Sequence, residues 1–364
     1  MNNSIHMLEA IELAKKGEFS VQPNPMVGCI ITKGNKVIGR GWHKKYGSHH
    51  AEVNAVKSCL KNYGAAKGKR LLNGSTMFVT LEPCSITNNT PPCTNTILQY
   101  GIAKVVYGAK DPNPKIFGKG LKLLKANGID IEVSRYRKEC QDLLKIFAIN
   151  QTQNRPFVTL KIALTKDGFL GPKNAKKQFL VSGPKSRANV QSLRKKHKAV
   201  LIGGNTLRID RPSLHLINKN IADSAQPVKI IITNKDISSV QLKNLTNRFS
   251  KILLVSNKKI NFPKKQNIEN IIIAKTGKHF LNILFKELLH RNISSVLVEP
   301  GQGLFTLFQK YNLLDELTVF QSPKVLGDGL RPMKSKDSFE NLLNGLTLLS
   351  SEKCGADIKS TYKT

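Results

Sequence analysis

Short apolar runs and amphipathic stretches alternate along the whole chain, and this alternation limits the possible folds more than any other feature. Apolar runs bounded by turn residues predict strands, whereas apolar residues three and four positions apart predict helices. The predicted strands are 26–32, 36–40, 75–81, 104–108, 129–133, 157–164, 199–203, 228–233, 251–256, 270–274, 294–299 and 316–321. The predicted helices are 4–17, 50–62, 93–101, 118–127, 139–149, 184–197, 279–291 and 303–311. Strands that alternate with helices favour an α/β layer architecture.

A polar stretch near the middle of the chain marks a domain boundary. The sequence QTQNRP at 151–156 follows a predicted helix and contains a proline, which favours a break in the pattern. The chain has 364 residues, which exceeds the usual length of about 150 residues for one domain. We therefore predict a first domain at 1–148, a linker at 149–155 and a second domain at 156–364.

The chain is strongly basic, with 58 Lys and Arg against 24 Asp and Glu and a formal net charge of +34. Such a charge raises the possibility of a nucleic acid as a partner. The excess is mostly Lys, spreads over both halves and includes no long basic tail, so we interpret it as a composition bias on solvated faces. It also suits a small phosphorylated substrate.

Neither a membrane span nor a secretory signal is predicted. No run approaches the roughly 18 consecutive apolar residues that a membrane helix needs. The first residues form an amphipathic pattern that contains acids, without an apolar signal region. The six cysteines lack the dense spacing of a disulfide framework. These features predict a cytoplasmic protein.

His50, Cys84 and Cys93 form a candidate zinc site. One His and two Cys leave the fourth position of a tetrahedral zinc ion free, as in catalytic rather than closed structural sites. Glu52 lies on the same predicted helix and is placed to move protons without binding the metal. This is the H-x-E plus P-C arrangement of zinc-dependent deaminases. The competing interpretation is two buried thiols, a surface His and a capping Glu, and two Pro-Cys elements downstream of His-x-Glu argue against it.

The spacing of the two cysteines narrows the class. Eight residues lie between Cys84 and Cys93, whereas two are usual in deaminases. With LEPCS at 81–85 and TPPC at 90–93, the first half resembles the deaminase half of the bifunctional deaminase/reductases of riboflavin biosynthesis. Other similar stretches are Pro23-Asn24-Pro25, Val27-Gly28, Gly41-Trp42-His43 and Asp111-Pro112-Asn113-Pro114. The resemblance implies a cytidine-deaminase-like α/β/α sandwich with Asn24 at the pyrimidine pocket.

The second half is similar to the reductase half of the same family. The similar stretches include RPFVTLK at 155–161, Asp167-Gly168, AVLIGGNT at 199–206, VLVEPGQGL at 296–304 and PKVLG at 323–327. This resemblance implies a dihydrofolate-reductase-like α/β domain that uses NADPH. It further implies the contacts of six residues: Thr206 and Asp210 with NADPH, Arg194 and Leu214 with the substrate, and Lys161 and Glu299 near the carbon that receives the hydride.

A glycine-rich turn supports cofactor binding on physical grounds. The predicted strand 294–299 ends in Gly301 and Gly303, which precede a predicted helix. Glycines let a backbone approach phosphates closely, and a helix start adds free N–H groups. These two glycines are therefore candidates to bind the NADPH pyrophosphate. The turn lacks the G-x-G-x-x-G pattern and does not predict a standard Rossmann fold.

The chain departs from the family pattern where the family binds substrate phosphate. Ile86 and Asn89 replace a His and a basic residue between the two cysteines, and Ile217 replaces a basic residue of the reductase half. The zinc chemistry is unaffected by these changes. The residues that we consider as replacements are Lys44, Lys45 and Lys219.

Together these features predict two successive reactions. The first is zinc-dependent hydrolytic deamination of 2,5-diamino-6-(5-phosphoribosylamino)pyrimidin-4-one, and the second is NADPH-dependent reduction of its ribosyl group to a ribityl chain. We also expect a homo-oligomer. Two alternatives remain at this stage: a deaminase of nucleic acid or other nucleobases with a divergent accessory domain, and a non-enzymatic binding protein that has lost its phosphate contacts.

Overall fold

The structure is a computed structural model that describes residues 2–87, 91–217, 226–246 and 251–364. The chain divides into two compact units, Met1–Asn154 and Arg155–Thr364. The division lies within the stretch 149–155, for which the sequence predicts a linker. A helix at Lys145–Gln153 occupies most of that stretch.

The first unit contains a five-stranded mixed sheet. Its strands are β1 (Gly28–Lys33), β2 (Lys36–Trp42), β3 (Thr76–Leu81), β4 (Lys104–Ala109) and β5 (Asp130–Val133). The helices are α1 (Asn2–Lys15), α2 (Ala51–Tyr63), α3 (Ala65–Leu72), α4 (Cys93–Gln99), α5 (Lys119–Ala126), α6 (Arg137–Leu143) and α7 (Lys145–Gln153). The strand order is β2-β1-β3-β4-β5. β1 is antiparallel to β2 and β3, whereas β3, β4 and β5 are parallel.

Helices cover both faces of this sheet. Gly28 in β1 packs against the backbone of Ala10 in α1, and Gly41 in β2 packs against Ala51 in α2. Gly41 stands opposite Cys29, which follows Gly28 in β1. Because successive residues of a strand point to opposite faces, α1 and α2 lie on opposite sides of the sheet. The predicted α/β/α sandwich is therefore confirmed.

The second unit contains a nine-stranded sheet. Its strands are β6 (Phe157–Leu164), β7 (Ala199–Gly203), β8 (Val228–Ile232), β9 (Ile252–Ser256), β10 (Ile268–Ile272), β11 (Ser295–Val298), β12 (Glu316–Gln321), β13 (Thr347–Cys354) and β14 (Asp357–Lys363). The helices are α8 (Pro184–Lys196), α9 (Gly204–Asp210), α10 (Ser239–Leu242), α11 (Gly277–His290), α12 (Gln302–Lys310) and α13 (Lys336–Asn344). The strand order is β10-β9-β8-β7-β11-β6-β12-β14-β13. The first seven strands in this order are parallel, and β14 and β13 are antiparallel additions.

The parallel strands of this sheet are buried on both faces. Leu201 and Ile230 belong to one hydrophobic cluster, whereas Val200, Ile202 and Ile231 belong to another. Neighbouring residues of a strand thus pack into different cores. This two-sided burial explains why the strands appear in the sequence as continuous apolar runs rather than alternating patterns.

The C-terminal hairpin of β13 and β14 was missed by the sequence analysis. β13 is exposed along almost its whole length and therefore lacks a buried apolar face. The hairpin nevertheless supports the fold, because Asp357 is 2% exposed and accepts hydrogen bonds at the start of α8. Its donors are the backbone N–H of Gly183 at 2.7 Å and the hydroxyl of Ser186 at 2.5 Å.

Two expectations from composition can be compared with the described residues. None of their helices combines the length and the apolar character needed to cross a membrane. All six cysteines are free thiols.

Candidate functional site

Three predicted zinc ligands meet in the first unit. His50 immediately precedes α2, Cys84 follows β3 by a short loop, and Cys93 is the first residue of α4. Their ligand atoms all lie within 4.8 Å of one another. Nδ1 of His50 is 3.2 Å from Sγ of Cys93 and 3.6 Å from Sγ of Cys84. Tetrahedral zinc, with bonds of about 2.0 Å to nitrogen and about 2.3 Å to sulfur, separates such atoms by about 3.5 Å, so the three residues fit this ion.

Two glycines allow the close packing that brings these ligands together. A Cβ at Gly41 would collide with the carbonyl oxygen of Ala51, so glycine lets the start of α2 approach β2. A Cβ at Gly120 would collide with the carbonyl oxygen of Pro83, next to Cys84. The first turn of α2, which directly follows His50, is therefore held against β2, and the first turn of α5 is held against the segment that carries Cys84.

The electrostatics of the cluster also suit a cation. Hydrogen bonds from Cys93 and His50 lower the pKa of Cys84 to about 4. The hydrogen bond to Cys84 raises the pKa of Cys93 well above its usual value, and hydrogen bonding to Cys84 also raises the pKa of His50. A thiolate at Cys84 thus attracts protons that a bound metal ion would displace.

Glu52 lies beside the cluster without belonging to it. Its side chain is 4% exposed, and burial raises its pKa while the nearby His50 opposes the rise. A raised pKa lets a carboxyl group take up and release a proton more readily at the higher pH values where general acid–base catalysis works. This placement agrees with the role that the sequence suggests for Glu52.

Asn24 lies close to the cluster through His43. Nδ2 of Asn24 is 3.1 Å from Nε2 of His43, and Nδ1 of His43 is 3.1 Å from the carbonyl oxygen of His49. The His43 ring packs edge-on against that of His50, with 5.6 Å between centroids. Burial lowers the pKa of His43, so the neutral ring accepts a hydrogen bond from Asn24 and donates one to His49.

Glu82 is a structural residue of the site that the sequence analysis did not single out. It is 2% exposed and accepts hydrogen bonds from the backbone N–H groups of Asp111, Gly118 and Gly120, at 2.9 to 3.2 Å. It thereby ties the residue pair before Cys84 to the segment 111–120. The only signal in the sequence is an acidic residue directly after an apolar strand.

The predicted NADPH residues of the second unit meet at one edge of its sheet. Thr206 and Asp210 lie on α9 directly after β7, whereas Gly301 and Gly303 begin α12 after β11. β7 and β11 are adjacent and parallel, so their carboxyl ends lie side by side. A Cβ at Gly301 would be 3.9 Å from the Thr206 hydroxyl, and one at Gly303 would meet nothing within 4 Å. This open backbone at a helix start suits a phosphate group.

Lys161, Arg194 and Glu299 form a charged cluster near the same edge. Arg194 donates to Glu299 from Nε at 2.7 Å and from Nη2 at 3.1 Å, and both side chains are largely buried. Burial lowers the pKa of Lys161, and the charges of Glu299 and Asp210 oppose this. Burial alone would raise the pKa of Glu299, but the charges of Arg194 and Lys161 hold it below its usual value.

Leu214 takes an unusual position for a predicted substrate contact. The whole residue is 1% exposed and packs into a hydrophobic cluster with Val200 and Leu207. Its backbone has a positive φ of 54°, which is uncommon for a bulky residue and typical of functional segments. The substrate contact of Leu214 stays a prediction.

The departures from the family pattern lie on or near the surface. Ile217 is 80% exposed and Ile86 is half-buried, while Asn89 and Lys219 lie outside the described residues. Nζ of Lys44 lies 4.9 Å from the centroid of the Trp42 ring. Lys45 is exposed.

Each half of the chain matches a known protein family. Residues 1–109 match the zinc-binding region of cytidine and deoxycytidylate deaminases, and residues 156–360 match the RibD C-terminal domain. The fold and the ligand set therefore define a zinc-dependent deaminase joined to a dihydrofolate-reductase-like domain that uses NADPH.

Whole-length relatives specify the family. Riboflavin biosynthesis protein RibD of Buchnera aphidicola subsp. Baizongia pistaciae is 34% identical over 354 residues, which is 94% of this chain and 92% of that protein. The chain belongs to the RibD family of bifunctional deaminase/reductases of riboflavin biosynthesis. The predicted fold class, enzyme class, zinc and NADPH are thus confirmed.

Solved structures show the same likeness over both units. RibD of Acinetobacter baumannii (form 1) superposes with a TM-score of 0.84 at 29% identity, covering 100% of this chain and 98% of that one. A diaminohydroxyphosphoribosylaminopyrimidine deaminase/5-amino-6-(5-phosphoribosylamino)uracil reductase of Thermotoga maritima superposes at 0.83 and 30%, covering 99% and 98%.

Proposed function

We propose that the first unit deaminates 2,5-diamino-6-(5-phosphoribosylamino)pyrimidin-4-one and that the second unit reduces the ribosyl group of the product. The observation that carries this proposal is the presence in one chain of two polar sites. One is the His50–Cys84–Cys93 cluster with the buried Glu52. The other is the Arg194–Glu299 pair near the glycine turn of α12.

His50, Cys84 and Cys93 hold zinc in this proposal, and Glu52 moves the protons. When bound, zinc would supply Lewis-acid chemistry that makes water more acidic near neutral pH. Glu52 accepts a proton from the attacking water, passes it to the pyrimidine ring and assists the departure of ammonia. Water thereby replaces the amino group of the pyrimidine, which leaves as ammonia, and its oxygen becomes a carbonyl oxygen of the product. Asn24, oriented by His43, binds the pyrimidine.

Thr206, Asp210, Gly301 and Gly303 bind NADPH in the second unit. The cofactor supplies the hydride that reduces C1′ of the ribose. Three charged side chains act on the substrate: Lys161 and Glu299 exchange the proton that accompanies ring opening, and Arg194 orients Glu299 and contacts the substrate. Leu214 completes the proposed substrate contacts.

Other features of the chain bear on its partners and its location. We propose a cytoplasmic homo-oligomer that acts on a small phosphorylated pyrimidine and has no nucleic-acid substrate. Free thiols at all six cysteines suit a reducing compartment. Leu348 and Leu349 are 53% and 47% exposed on the edge strand β13, and an apolar edge of this kind is commonly covered by a second subunit. Light scattering of the purified chain tests the oligomer.

Mass spectrometry of the reaction products tests both activities in one experiment. The purified chain is incubated with the diaminopyrimidinone phosphate, first without NADPH and then with it. Replacement of an amino group by oxygen without NADPH, followed by a gain of two hydrogens with it, is the expected result. An unchanged mass of the pyrimidine after incubation with the zinc-loaded chain would refute the proposal. Deamination of single-stranded nucleic acid in a parallel assay would favour the nucleic-acid alternative.

A further inference from the structure

Lys229 is a lysine in the interior of the second unit. It lies on β8, between Val200 of β7 and Ile252 of β9, and its side chain is 0% exposed. Burial lowers the pKa of its amine to about 7, and the positive charge of Arg194 adds to this effect. Lysines are almost never fully buried without a compensating partner. The partners of Lys229 therefore indicate why the chain keeps a lysine here.

The amine of Lys229 binds two groups, and neither is an acid. Nζ lies 2.8 Å from Nδ1 of His215 and donates to the carbonyl oxygen of Leu245 at 2.5 Å. Burial and the charge of Lys229 lower the pKa of His215, while a hydrogen bond to the backbone of Asn244 opposes the shift. A neutral His215 accepts from Lys229 through Nδ1 and also hydrogen-bonds the backbone of Asn244. His215 thus bridges β8 and the segment 244–245.

His215 belongs to a short irregular segment, Arg211–Ile217, that side chains hold in place. The amide of Asn244 donates to the carbonyl oxygen of Arg211 at 2.7 Å. The side-chain amide of Gln226 pairs with the backbone N–H and carbonyl of Leu216, at 2.9 and 3.2 Å. The segment contains Leu214 with its positive φ, so its backbone follows a path that these bonds must maintain.

The same segment is next to the charged cluster of the reductase site. The backbone N–H of Ile217 donates to Oε1 of Gln191 on α8 at 3.0 Å. Arg194, three residues further along α8, binds Glu299. Arg194 also acts electrostatically on both His215 and Lys229. The buried amine therefore bonds a residue of a segment that neighbours Arg194 of the proposed reductase site.

We propose that Lys229 is a positioning residue of the reductase site, which fixes the segment Arg211–Ile217 through His215 and thereby the substrate contact at Leu214. This inference rests on the proposed reductase function. Lys229 itself does not touch the substrate, because its amine is enclosed.

The expected behaviour of a Lys229→Met variant distinguishes this role from a purely structural one. The substitution removes the cost of burying an amine, but it leaves the buried carbonyl oxygen of Leu245 without its donor, which is destabilising. The variant is therefore expected to fold with a lowered melting temperature, and binding is measured well below that temperature. The variant also loses the contact that fixes His215, so the KM for the deaminated pyrimidine rises about tenfold while kcat changes little, because only binding groups are displaced.

Lys251→Met provides the matched control. Lys251 lies near the same sheet, is 52% exposed at its side chain and pairs with Glu269. The substitution removes the same charge without touching His215. The assay follows NADPH oxidation at saturating NADPH with pre-deaminated substrate. Ammonia release from the diaminopyrimidinone phosphate, measured in a separate reaction, serves as the measure of an intact first unit. We expect an unchanged KM for Lys251→Met and unchanged ammonia release for both variants.

Substitutions at His215 test the proposed route of action without altering the lysine. His215→Leu removes the acceptor and is expected to raise KM as Lys229→Met does, whereas His215→Gln supplies an amide oxygen and should retain most of the affinity. In the double variant, Lys229→Met should add little to His215→Leu, because both break the same contact. These variants also carry the test if Lys229→Met folds poorly.

The outcomes distinguish a failure of the positioning role of Lys229 from a failure of the proposed reductase function. A reductase KM for Lys229→Met within twofold of that for Lys251→Met, in a well-folded protein, would overturn the positioning role. Fully additive effects of Lys229→Met and His215→Leu would do the same. An original chain that oxidises no NADPH with the pyrimidine would instead refute the proposed function on which the inference rests.

Discussion

Proton transfer at single residues depends on burial and on the charges close by. Glu52 and Lys161 are both titratable groups whose pKa burial shifts toward neutrality, Glu52 upward and Lys161 downward. Groups with pKa values near the working pH are the most effective proton carriers. The proposed role of Glu52 therefore predicts a change of rate in its own variant. The proposed role of Lys161 predicts a change of the pH profile in variants of its neighbours.

Glu52→Gln removes the proposed proton carrier of the deaminase and leaves the proposed zinc ligands in place. We expect ammonia release to fall by about 10²- to 10⁴-fold, the usual contribution of a general acid–base group. Zinc content should stay near one ion per chain, since Glu52 is outside the ligand cluster. Elemental analysis and an ammonia assay measure both quantities. The matched control is Glu12→Gln, at an exposed residue paired with Lys15. Equal zinc loss and activity loss would assign Glu52 to the metal instead.

The pH profile of the reductase tests Lys161 through its neighbours. The charge of Glu299 raises the pKa of Lys161 and that of Arg194 lowers it. If protonated Lys161 is the active form, kcat/KM falls as pH rises through its pKa. Glu299→Gln removes an attraction for that proton, so the basic limb should move to lower pH. Arg194→Met removes a repulsion and should move it to higher pH. Shifts in the same direction for both variants would contradict the role of Lys161.

At the scale of helices and strands, the sequence predicted the elements that a local apolar pattern marks. The central strands of both sheets and helices such as α2, α8 and α12 follow directly from apolar periodicity. β13 was missed because it is exposed and carries no apolar face. The His50–Cys84–Cys93 set was predictable because each ligand type and spacing has a chemical meaning.

Contacts between distant elements were not predictable in the same way. The partners Arg194 and Glu299 are separated by 105 residues, and the resemblance to a family, rather than any local pattern, marked them. Lys229 stands in VKIII at 228–232, where nothing distinguishes a buried amine from one that reaches solvent at a strand end. Its role depends on the position of Leu245 and His215, which only the tertiary structure supplies.

Glu82 couples β3 to the segment before α5, and this coupling is testable through zinc. Glutamine at position 82 retains one carbonyl oxygen and turns N–H groups toward backbone donors, so at least one of the three backbone hydrogen bonds is lost. Each buried donor left without a partner costs about 1–3 kcal/mol. Because the displaced segment packs beside Pro83 and Cys84, zinc affinity should fall about 10- to 100-fold, as for other supporting residues of metal sites.

Competition with a chromophoric chelator measures the zinc affinity of Glu82→Gln. Glu132→Gln is the control, because Glu132 is 44% exposed at its side chain and pairs only at the surface with Lys104. An unchanged zinc affinity for Glu82→Gln, with a lowered melting temperature, would show that Glu82 stabilises the unit without supporting the ligand.

The whole molecule carries a charge that no single site explains. A net charge of +34 creates a positive field that attracts anions and increases their rate of encounter. The loss of basic side chains at Ile86 and Ile217 removes two local attractions for a substrate phosphate. A diffuse field from the many lysines is then the remaining long-range attraction, and this field depends on salt in a way that a buried ion pair does not.

Salt should therefore weaken both activities for the phosphorylated substrate. Between about 0.1 M and 1 M ionic strength the screening length falls from about 10 Å to about 3 Å, so kcat/KM is expected to fall several-fold, mainly through KM. The same pyrimidine without its phosphate is the control, because a neutral ribosyl group gains little from the field. Steady-state rates at several potassium chloride concentrations measure both. An equal decline for the two substrates would point to a general effect of salt on the protein. No decline for either would place phosphate recognition in a short-range, buried contact instead of the surface charge.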